Sequence, residues 1–130
     1  YELIPEIAEL RNEISPSTKL IINGDIKSAA EAPKYVALGA DGIMIGRGVF
    51  ANPFCFEKEP REHTRQELLE LMQYHLDLYE KYELAPYDPL KRFFKIYINN
   101  FPGASDIREQ LMHTKTIAEA RAIIEPLIKE

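Results

Sequence analysis

The fold of the first part of this chain is decided by the stretch Lys19-Leu20-Ile21-Ile22-Asn23-Gly24-Asp25 and by its counterpart Gly42-Ile43-Met44-Ile45-Gly46-Arg47-Gly48. Each stretch is a short apolar run that ends in a glycine-containing turn. Such a run is typical of a buried strand bounded by a turn. The sequence therefore predicts two buried strands, at 19–23 and at 42–45.

Helical patterns flank these two strands. Before the first strand, apolar residues at helical spacing predict an amphipathic helix over 1–14, with an apolar face formed by Leu3, Ile7, Leu10 and Ile14. Between the strands, the capping pattern Ser28-Ala29-Ala30-Glu31 predicts a helix from about Ala29 to Leu38, with Pro33 distorting its first turn. The order helix, strand, helix, strand is typical of a parallel sheet with right-handed crossovers. Two strands do not form a stable sheet alone, so partner strands must come from sequence outside this chain or from another chain.

The pattern changes at about residue 57, where a charged stretch indicates a linker. Beyond it, apolar residues at helical spacing predict four helices, over 65–82, 90–100, 104–112 and from 117 onward. Capping-box patterns begin at Thr64 and Thr116, and a break is expected at Ala85–Pro89. Pro126 is expected to kink or end the last helix. The chain is therefore predicted to comprise an α/β domain over 1–57 and an all-helical bundle domain over 58–130.

The predicted helical faces define a candidate core for the second domain. On the 65–82 helix the expected inward residues are Leu68, Leu71, Met72, Leu78, Tyr79 and Tyr82. On the last helix they are Ile117, Ala120, Ile124 and Leu127. Helical spacing also favours core packing over base stacking for the tyrosines at 74, 79, 82 and 87. His75 is expected to pack in the core, whereas His63 and His113 are expected to be exposed.

Composition limits the classes of function. The hydrophobic fraction of 45% is that of a globular chain, and no apolar run approaches the ~20 residues of a membrane span. The single cysteine, Cys55, excludes an internal disulfide and is compatible with the cytoplasm, while the three histidines lack metal-ligand spacing. The net charge of −5 disfavours sequence-independent binding to nucleic acid unless the basic residues are segregated on one face. The chain does not start with Met, which suggests a piece of a longer protein.

The two glycine turns, Asn23-Gly24-Asp25 and Gly46-Arg47-Gly48, form the candidate binding site. Each follows the carboxyl end of a predicted strand, where parallel α/β units place their ligands. Glycine leaves backbone N–H groups open and lets a phosphate approach closely, and a helix starting near Val49 would add the positive end of its dipole. Arg47 could donate a charge-assisted hydrogen bond, whereas Asp25 would orient the backbone or a polar ligand group. The alternative is a pair of ordinary strand-ending turns with a solvated Arg47.

Three motifs follow one another along the first domain: Asn23-Gly24-Asp25-Ile26, then Gly39-Ala40-Asp41-Gly42-Ile43-Met44-Ile45-Gly46-Arg47-Gly48, then Asn52-Pro53-Phe54. This ordered set resembles the end of the barrel in tRNA-dihydrouridine synthases. The resemblance implies that 1–57 is the last two βα units of an FMN-binding (β/α)₈ TIM barrel, which needs roughly 250 residues when complete. It assigns one set of residues to the FMN phosphate arm: Asn23, Gly24, Asp25, Gly46, Arg47 and Gly48.

The chemistry that the resemblance implies is a reduction. NADPH reduces FMN, the flavin passes hydride to C6 of a uridine flipped out of the tRNA, and a cysteine protonates C5 to give 5,6-dihydrouridine. In the family that cysteine lies upstream, in the missing amino-terminal barrel half, so no catalytic residue is expected here and the chain alone is expected to be inactive. Cys55 lies between two aromatic residues and is expected to be a buried, inert thiol.

The resemblance continues into the helical part, which grips tRNA in the family. The matching segments are Lys91-Arg92-Phe93, Tyr97, Phe101-Pro102-Gly103-Ala104 and Arg108. Four basic residues are the RNA-binding candidates: Lys91, Arg92, Lys95 and Arg108. Phe93 and Ile96 depart from the family, which often has His and Trp at these positions. The alternative for Lys91 and Lys95, which are four residues apart, is a solvated helix face.

Two other functions remain open at this point. One is a different FMN- or phosphate-binding TIM-barrel oxidoreductase, which would share the glycine turns but not the helical tail. The other is a non-enzymatic RNA-binding module in which the helical half does the work. Two strands without partners also expose apolar surface, so self-association is expected as a property of the truncation.

Overall fold

The computed structural model describes residues 1–83 and 86–130. Its contacts divide the chain into two compact units, Tyr1–Arg61 and Glu62–Glu130. The expected break at 85–89 starts outside the described residues. No helix within the described ranges is long and apolar enough to span a membrane. The assignment of the first part to a barrel and of the second to tRNA binding stays a prediction.

The first unit consists of short helices around two parallel strands. Its elements are α1 (Ile4–Ile14), β1 (Ile21–Asn23), a 3₁₀ turn (Ala29–Glu31), α2 (Ala32–Val36), β2 (Gly42–Met44) and α3 (Gly48–Ala51). β1 pairs with β2 in parallel, with Ile22 opposite Ile43, so the predicted element order and strand direction are confirmed. The predicted second helix begins as a 3₁₀ turn and becomes α-helical at Ala32, where Pro33 fits the first turn because its missing N–H needs no partner there.

The face that α1 buries differs from the prediction. Ile4 and Ala8 are buried, whereas the predicted inward residues Leu3, Ile7, Leu10 and Ile14 are 44–74% exposed. Ala8 comes so close to the chain after α2 that a Cβ at Gly39 would lie 2.8 Å from the Ala8 Cβ. A two-stranded sheet covers only a narrow strip of a helix, and Ile4 packs on that strip with Ile22 and its neighbours. The four exposed residues are called the α1 stripe below.

Asp41 ties α1 to the start of both strands. Its carboxylate accepts hydrogen bonds from the Leu20 N–H at 2.8 Å and from the Arg11 guanidinium at 2.6 Å. Arg11 also donates to the Thr18 carbonyl at 2.7 Å. The Leu20 N–H and the Arg11 charge together lower the pKa of Asp41, because both favour its ionised form. Asp41 therefore has a structural task within the Gly39–Gly48 motif.

The second unit is entirely helical over its described residues. It contains α4 (Arg65–Tyr82), a 3₁₀ turn (Asp88–Phe93), α5 (Phe94–Tyr97), α6 (Ala104–Met112) and α7 (Ile117–Ile128). The predicted helices at 65–82 and 104–112 are confirmed with the same bounds. The single helix predicted at 90–100 is instead a 3₁₀ turn followed by one turn of α-helix. α7 passes through Pro126 and ends two residues later, close to the expected end.

Capping side chains start two of these helices. The Thr64 hydroxyl accepts the Glu67 N–H, and the Glu67 carboxylate accepts the Thr64 N–H, so this capping box is confirmed. Thr116 likewise accepts the Glu119 N–H. The Glu119 carboxylate, however, takes the N–H of Lys115, so the second predicted box is only half formed.

The core of the helical unit combines residues of α4 and α7 with residues of the 90–98 segment and of α6. The fully buried residues on α4 and α7 are Leu69, Met72, Leu76, Ala120 and Ile124. The prediction for α7 is confirmed, since Ala120 and Ile124 are fully buried and Ile117 and Leu127 pack against the core while partly buried. For α4 it is right at Met72, which is fully buried, and at Leu71 and Tyr79, which pack against the core while partly buried, whereas Tyr82 is 58% exposed. With leucines at several adjacent positions, helical spacing fits more than one face, and contact with α7 selects among them.

Candidate functional site

The two glycine turns border one groove of about 750 Å³ at the carboxyl ends of β1 and β2. All six predicted site residues line it, on the two turns 23–25 and 46–48. Parallel pairing explains this proximity, because Asn23 and Met44 are register partners and each turn continues from its strand in the same direction. Five further lining residues were not predicted as site residues: Ile26, Lys27, Ser28, Ala51 and Asn52. Ile26, Lys27 and Ser28 directly follow the first turn, and Ala51 and Asn52 lie three and four residues after the second. Ile26 and Asn52 also belong to the motifs that carry the family resemblance.

Backbone conformation explains the first turn. Gly24 has φ +134° and Asp25 has φ +51°. Positive φ costs glycine little, and aspartate is among the side chains that tolerate the left-handed region best. These conformations bend the chain immediately after β1 and leave the Asp25 carboxylate in solvent, 82% exposed.

The two glycines of the second turn have different surroundings. A Cβ at Gly48 would lie 2.9 Å from the Ile26 carbonyl oxygen and 2.9 Å from Ile45 Cγ2, so Gly48 lets the two turns pack together. A Cβ at Gly46 would meet nothing within 4 Å in the described structure, and the φ of Gly46 is not positive. Packing within this chain therefore explains glycine at 48 but not at 46.

Charged side chains at the groove are exposed. An Arg47 Nη2 atom lies 2.6 Å from Asp25 Oδ1, with 88% of the arginine side chain in solvent. Lys27 is also exposed, and within 1–83 and 86–130 no carboxylate pairs with its side chain. The backbone N–H groups of Lys27 and Ser28 both donate to Glu31 Oε2, at 2.8 and 3.1 Å. These two N–H groups are therefore already satisfied.

The segment 52–55, which contains the Asn-Pro-Phe motif, is held by hydrogen bonds to its own chain and to the 3₁₀ turn. Asn52 Oδ1 accepts the Phe54 N–H at 2.9 Å, and the Cys55 carbonyl accepts the Ala29 N–H at 2.7 Å. Cys55 is 1% exposed, and burial raises the pKa of its thiol. The expected burial of Cys55 is confirmed, and because a buried thiol with a raised pKa is a poor nucleophile or acid–base group, its inertness stays a prediction.

Two of the four predicted RNA-binding residues form hydrogen bonds or ion pairs within the helical unit itself. Lys91 Nζ lies 3.0 Å from Asp88 Oδ1 and donates to the Met112 carbonyl at 3.1 Å, and 14% of this side chain is exposed. Arg108 is half-buried and donates to the Ile98 carbonyl at 2.8 Å. Both cations therefore hold loops and helices of the unit together.

The other two, Arg92 and Lys95, are exposed. The Arg92 guanidinium lies 4.7 Å from the centre of the Phe93 ring, within cation–π range. In the described part of the chain, no carboxylate pairs with either residue. Arg121 shows the contrast, since it binds Asp77 and Glu80 at 2.6 and 2.9 Å. Arg92 and Lys95 thus form the uncompensated basic part of the 91–95 segment.

Beneath this segment lies a small aromatic cluster. His75 Nδ1 is 2.8 Å from the Tyr97 hydroxyl, and the His75 ring also contacts Tyr79 and Phe93. Burial lowers the pKa of His75 and raises the pKa of Tyr97 to about 12, because it disfavours the charged form of each group. The expectation of a packed His75 is confirmed.

Three other side chains test the remaining predictions. His63 was expected to be exposed, but its side chain is 7% exposed and Nδ1 lies 3.0 Å from Glu67 Oε2, where the capping box holds that carboxylate. Tyr74, expected in the core, is 58% exposed because α4 turns its neighbours Leu69, Met72 and Leu76 inward. His113 is exposed as expected. Within the described residues, no three His, Cys, Asp or Glu side chains are placed to hold a metal.

The fold and the groove define a class: an α/β unit with a groove at the carboxyl ends of parallel strands, followed by a helical unit. Residues 3–130 match the family model "Dihydrouridine synthase (Dus)", and the chain belongs to that family. It is 54% identical over 129 residues to a "Probable tRNA-dihydrouridine synthase 2" of Bacillus subtilis (strain 168), covering 96% of this chain and 40% of the relative. It is 55% identical over 132 residues to a "Probable tRNA-dihydrouridine synthase" of Staphylococcus aureus (strain Mu50 / ATCC 700699), covering 96% of this chain and 39% of the relative. The chain thus spans about two fifths of these relatives.

Proposed function

We propose that this chain is part of a cytoplasmic tRNA-dihydrouridine synthase that reduces uridine to 5,6-dihydrouridine in tRNA with FMN and NADPH. In this proposal, residues 1–57 are the last two βα units of a TIM barrel and hold the FMN phosphate, and residues 58–130 bind tRNA. The observation that carries it is the convergence of both glycine turns and Arg47 on one groove. FMN, when bound, supplies the hydride for C6 of the uridine.

The groove residues fit a phosphate group. Packing within the described chain does not explain why residue 46 is a glycine. The close approach of a ligand to the backbone at this position would explain it. Arg47 and Lys27 offer exposed cationic donors at the same edge. The volume of about 750 Å³ exceeds that of a phosphate alone and leaves room for the attached ribityl chain.

The experiment that tests the phosphate site compares two flavins. Arg47→Ala in the full-length protein is expected to weaken FMN binding about two- to fivefold, which is the range for one exposed charge pair. Riboflavin, which lacks the phosphate, should bind the variant and the parent alike. Lys34→Ala, an exposed change on α2 outside the groove, is the matched control. Equal FMN affinity of the Arg47 variant and the parent would reject the site.

For tRNA, we propose that Arg92 and Lys95 contact phosphates, while Lys91 and Arg108 shape the unit that presents them. Each phosphate contact releases counterions, so the slope of log K against log salt measures their number. Arg92→Ala/Lys95→Ala should lower tRNA affinity and reduce the slope by about one to two. The control is Lys129→Ala, an exposed lysine at the end of α7. An unchanged slope would exclude this face.

The remainder of the barrel is proposed to cover the α1 stripe and the open edges of the sheet. Ile21 and Met44 on the strands are 46% and 53% exposed in this chain, in keeping with missing neighbours. The proton donor to C5 is proposed to lie in that remainder, since Cys55 is buried. This chain alone is therefore expected to show no turnover. If the full-length protein bound tRNA but no flavin, the function of an RNA-binding module would replace this proposal.

A further inference from the structure

We propose that Lys27 provides the net positive charge of the phosphate groove, because Asp25 neutralises Arg47 within it. This inference rests on the proposed function and adds a residue that the glycine-turn motifs do not contain. It concerns the lysine that follows Asn23-Gly24-Asp25-Ile26 directly.

The charge balance of the lining residues carries the inference. Three charged side chains line the groove: Asp25, Lys27 and Arg47. Asp25 and Arg47 form an ion pair at 2.6 Å, so a phosphate has to compete with a carboxylate for the guanidinium. Lys27 is exposed and pairs with no carboxylate in the described residues. A phosphate monoester carries roughly −1.5 to −2 charges at pH 7, and Lys27 is the uncompensated cation that meets it.

Hydrogen bonding at the backbone supports the same assignment. Glu31 accepts the N–H groups of both Lys27 and Ser28, so neither N–H is left for a ligand. The ammonium group is therefore the donor that Lys27 offers to the groove. Glu31 itself does not line the groove, so among the lining side chains Lys27 remains the cation without a carboxylate partner.

Packing against the second glycine turn determines the position of the Lys27 backbone. The Lys27 Cα lies 3.3 Å from the position of a Cβ at Gly48, so the backbone of Lys27 contacts the second glycine turn. The lysine therefore sits where the two turns meet, while its flexible stem lets the ammonium follow the phosphate. A group placed in this way discriminates a phosphorylated flavin from an unphosphorylated one.

The test uses the full-length protein and titrates FMN and riboflavin separately. Lys27→Gln is expected to weaken FMN binding about two- to fivefold, which is the range for one exposed charge pair, and to leave riboflavin unchanged. Lys27→Arg should retain the FMN affinity. Lys34→Gln, which removes the same charge outside the groove, should change neither flavin. The Lys27 effect should shrink as salt is raised.

A second variant separates charge from structure. Asp25→Asn removes the competing carboxylate and should restore FMN affinity to Lys27→Gln by about two- to fivefold. Riboflavin weakened equally with FMN by Lys27→Gln would show a structural role and overturn the inference. So would an unchanged FMN affinity of Lys27→Gln while Arg47→Ala still weakens FMN, and in that case the proposed function survives. If the parent binds neither flavin, both proposals fall.

Discussion

Replacing the two glycines of the second turn by alanine should separate packing from ligand binding. At Gly48 the new Cβ would lie 2.9 Å from the Ile26 carbonyl oxygen and 2.9 Å from Ile45 Cγ2. The first neighbour is backbone and cannot rotate away. Overpacking of this kind costs about 1–3 kcal/mol. Alanine is favoured over glycine in a helix by at most ~1 kcal/mol, and less at the first position of the four-residue α3. The net expectation for Gly48→Ala is a loss of about 1–2 kcal/mol.

Gly46→Ala is the matched control with the opposite expectation. Its Cβ meets nothing within 4 Å and its φ is not positive, so the free energy of unfolding should change by less than about 0.5 kcal/mol. If a phosphate approaches at Gly46, this same variant should lose FMN affinity. Gly48→Ala is thus expected to lower stability, whereas Gly46→Ala is expected to lower FMN affinity without lowering stability.

The assay is urea denaturation of the flavin-free full-length protein, since bound flavin would raise apparent stability by itself. With an m value of about 2 kcal/mol per molar, the Gly48→Ala midpoint should fall by roughly 0.5–1 M relative to both the parent and Gly46→Ala. FMN titration of each variant completes the comparison. A Gly46→Ala midpoint as low as that of Gly48→Ala, or an unchanged Gly48→Ala midpoint, would refute the packing argument.

Three further predictions concern the helical unit. Leu76→Ala should cost about 2–5 kcal/mol in urea denaturation because Leu76 is fully buried, whereas Tyr74→Ala, 58% exposed on the same helix, should cost under ~0.5. Thr64→Ala removes the α4 cap and should cost about 1 kcal/mol by the same measurement; no loss would mean that Glu67 alone caps the helix. Burial lowers the pKa of His75 below 6.5, so the unfolded chain binds that proton more readily and stability should fall as the pH drops below about 6.5. His75→Gln should flatten this decline, and an unaltered pH profile would contradict it.

Local patterns in the sequence predicted the elements well because local forces form them. The capping box at Thr64 and the apolar spacing after it determined the bounds of α4, and the two apolar runs with their glycine turns predicted the parallel pair. The three motifs shared with a known family predicted the membership that the family model confirms. Each capping box, apolar run or motif is formed by residues within a few positions of one another.

The buried face of each helix was decided by the tertiary structure, because it depends on contacts with residues that are distant in the sequence. Ile4 packs on the sheet and Ala8 lies against Gly39 although the α1 stripe is the more apolar face, because the two-stranded sheet covers only one strip of the helix. Lys91 and Arg108 donate hydrogen bonds within the helical unit, because the fold brings the carbonyl groups of Met112 and Ile98 to them.

The groove shows the same division. The sequence alone determined its two turns, since glycine and a strand end are local properties. Only the parallel register brought the second turn beside Lys27 and placed Arg47 against Asp25, since these contacts join residues up to 22 positions apart. Charge balance in a site is a property of such pairs, so it cannot be determined from either turn alone.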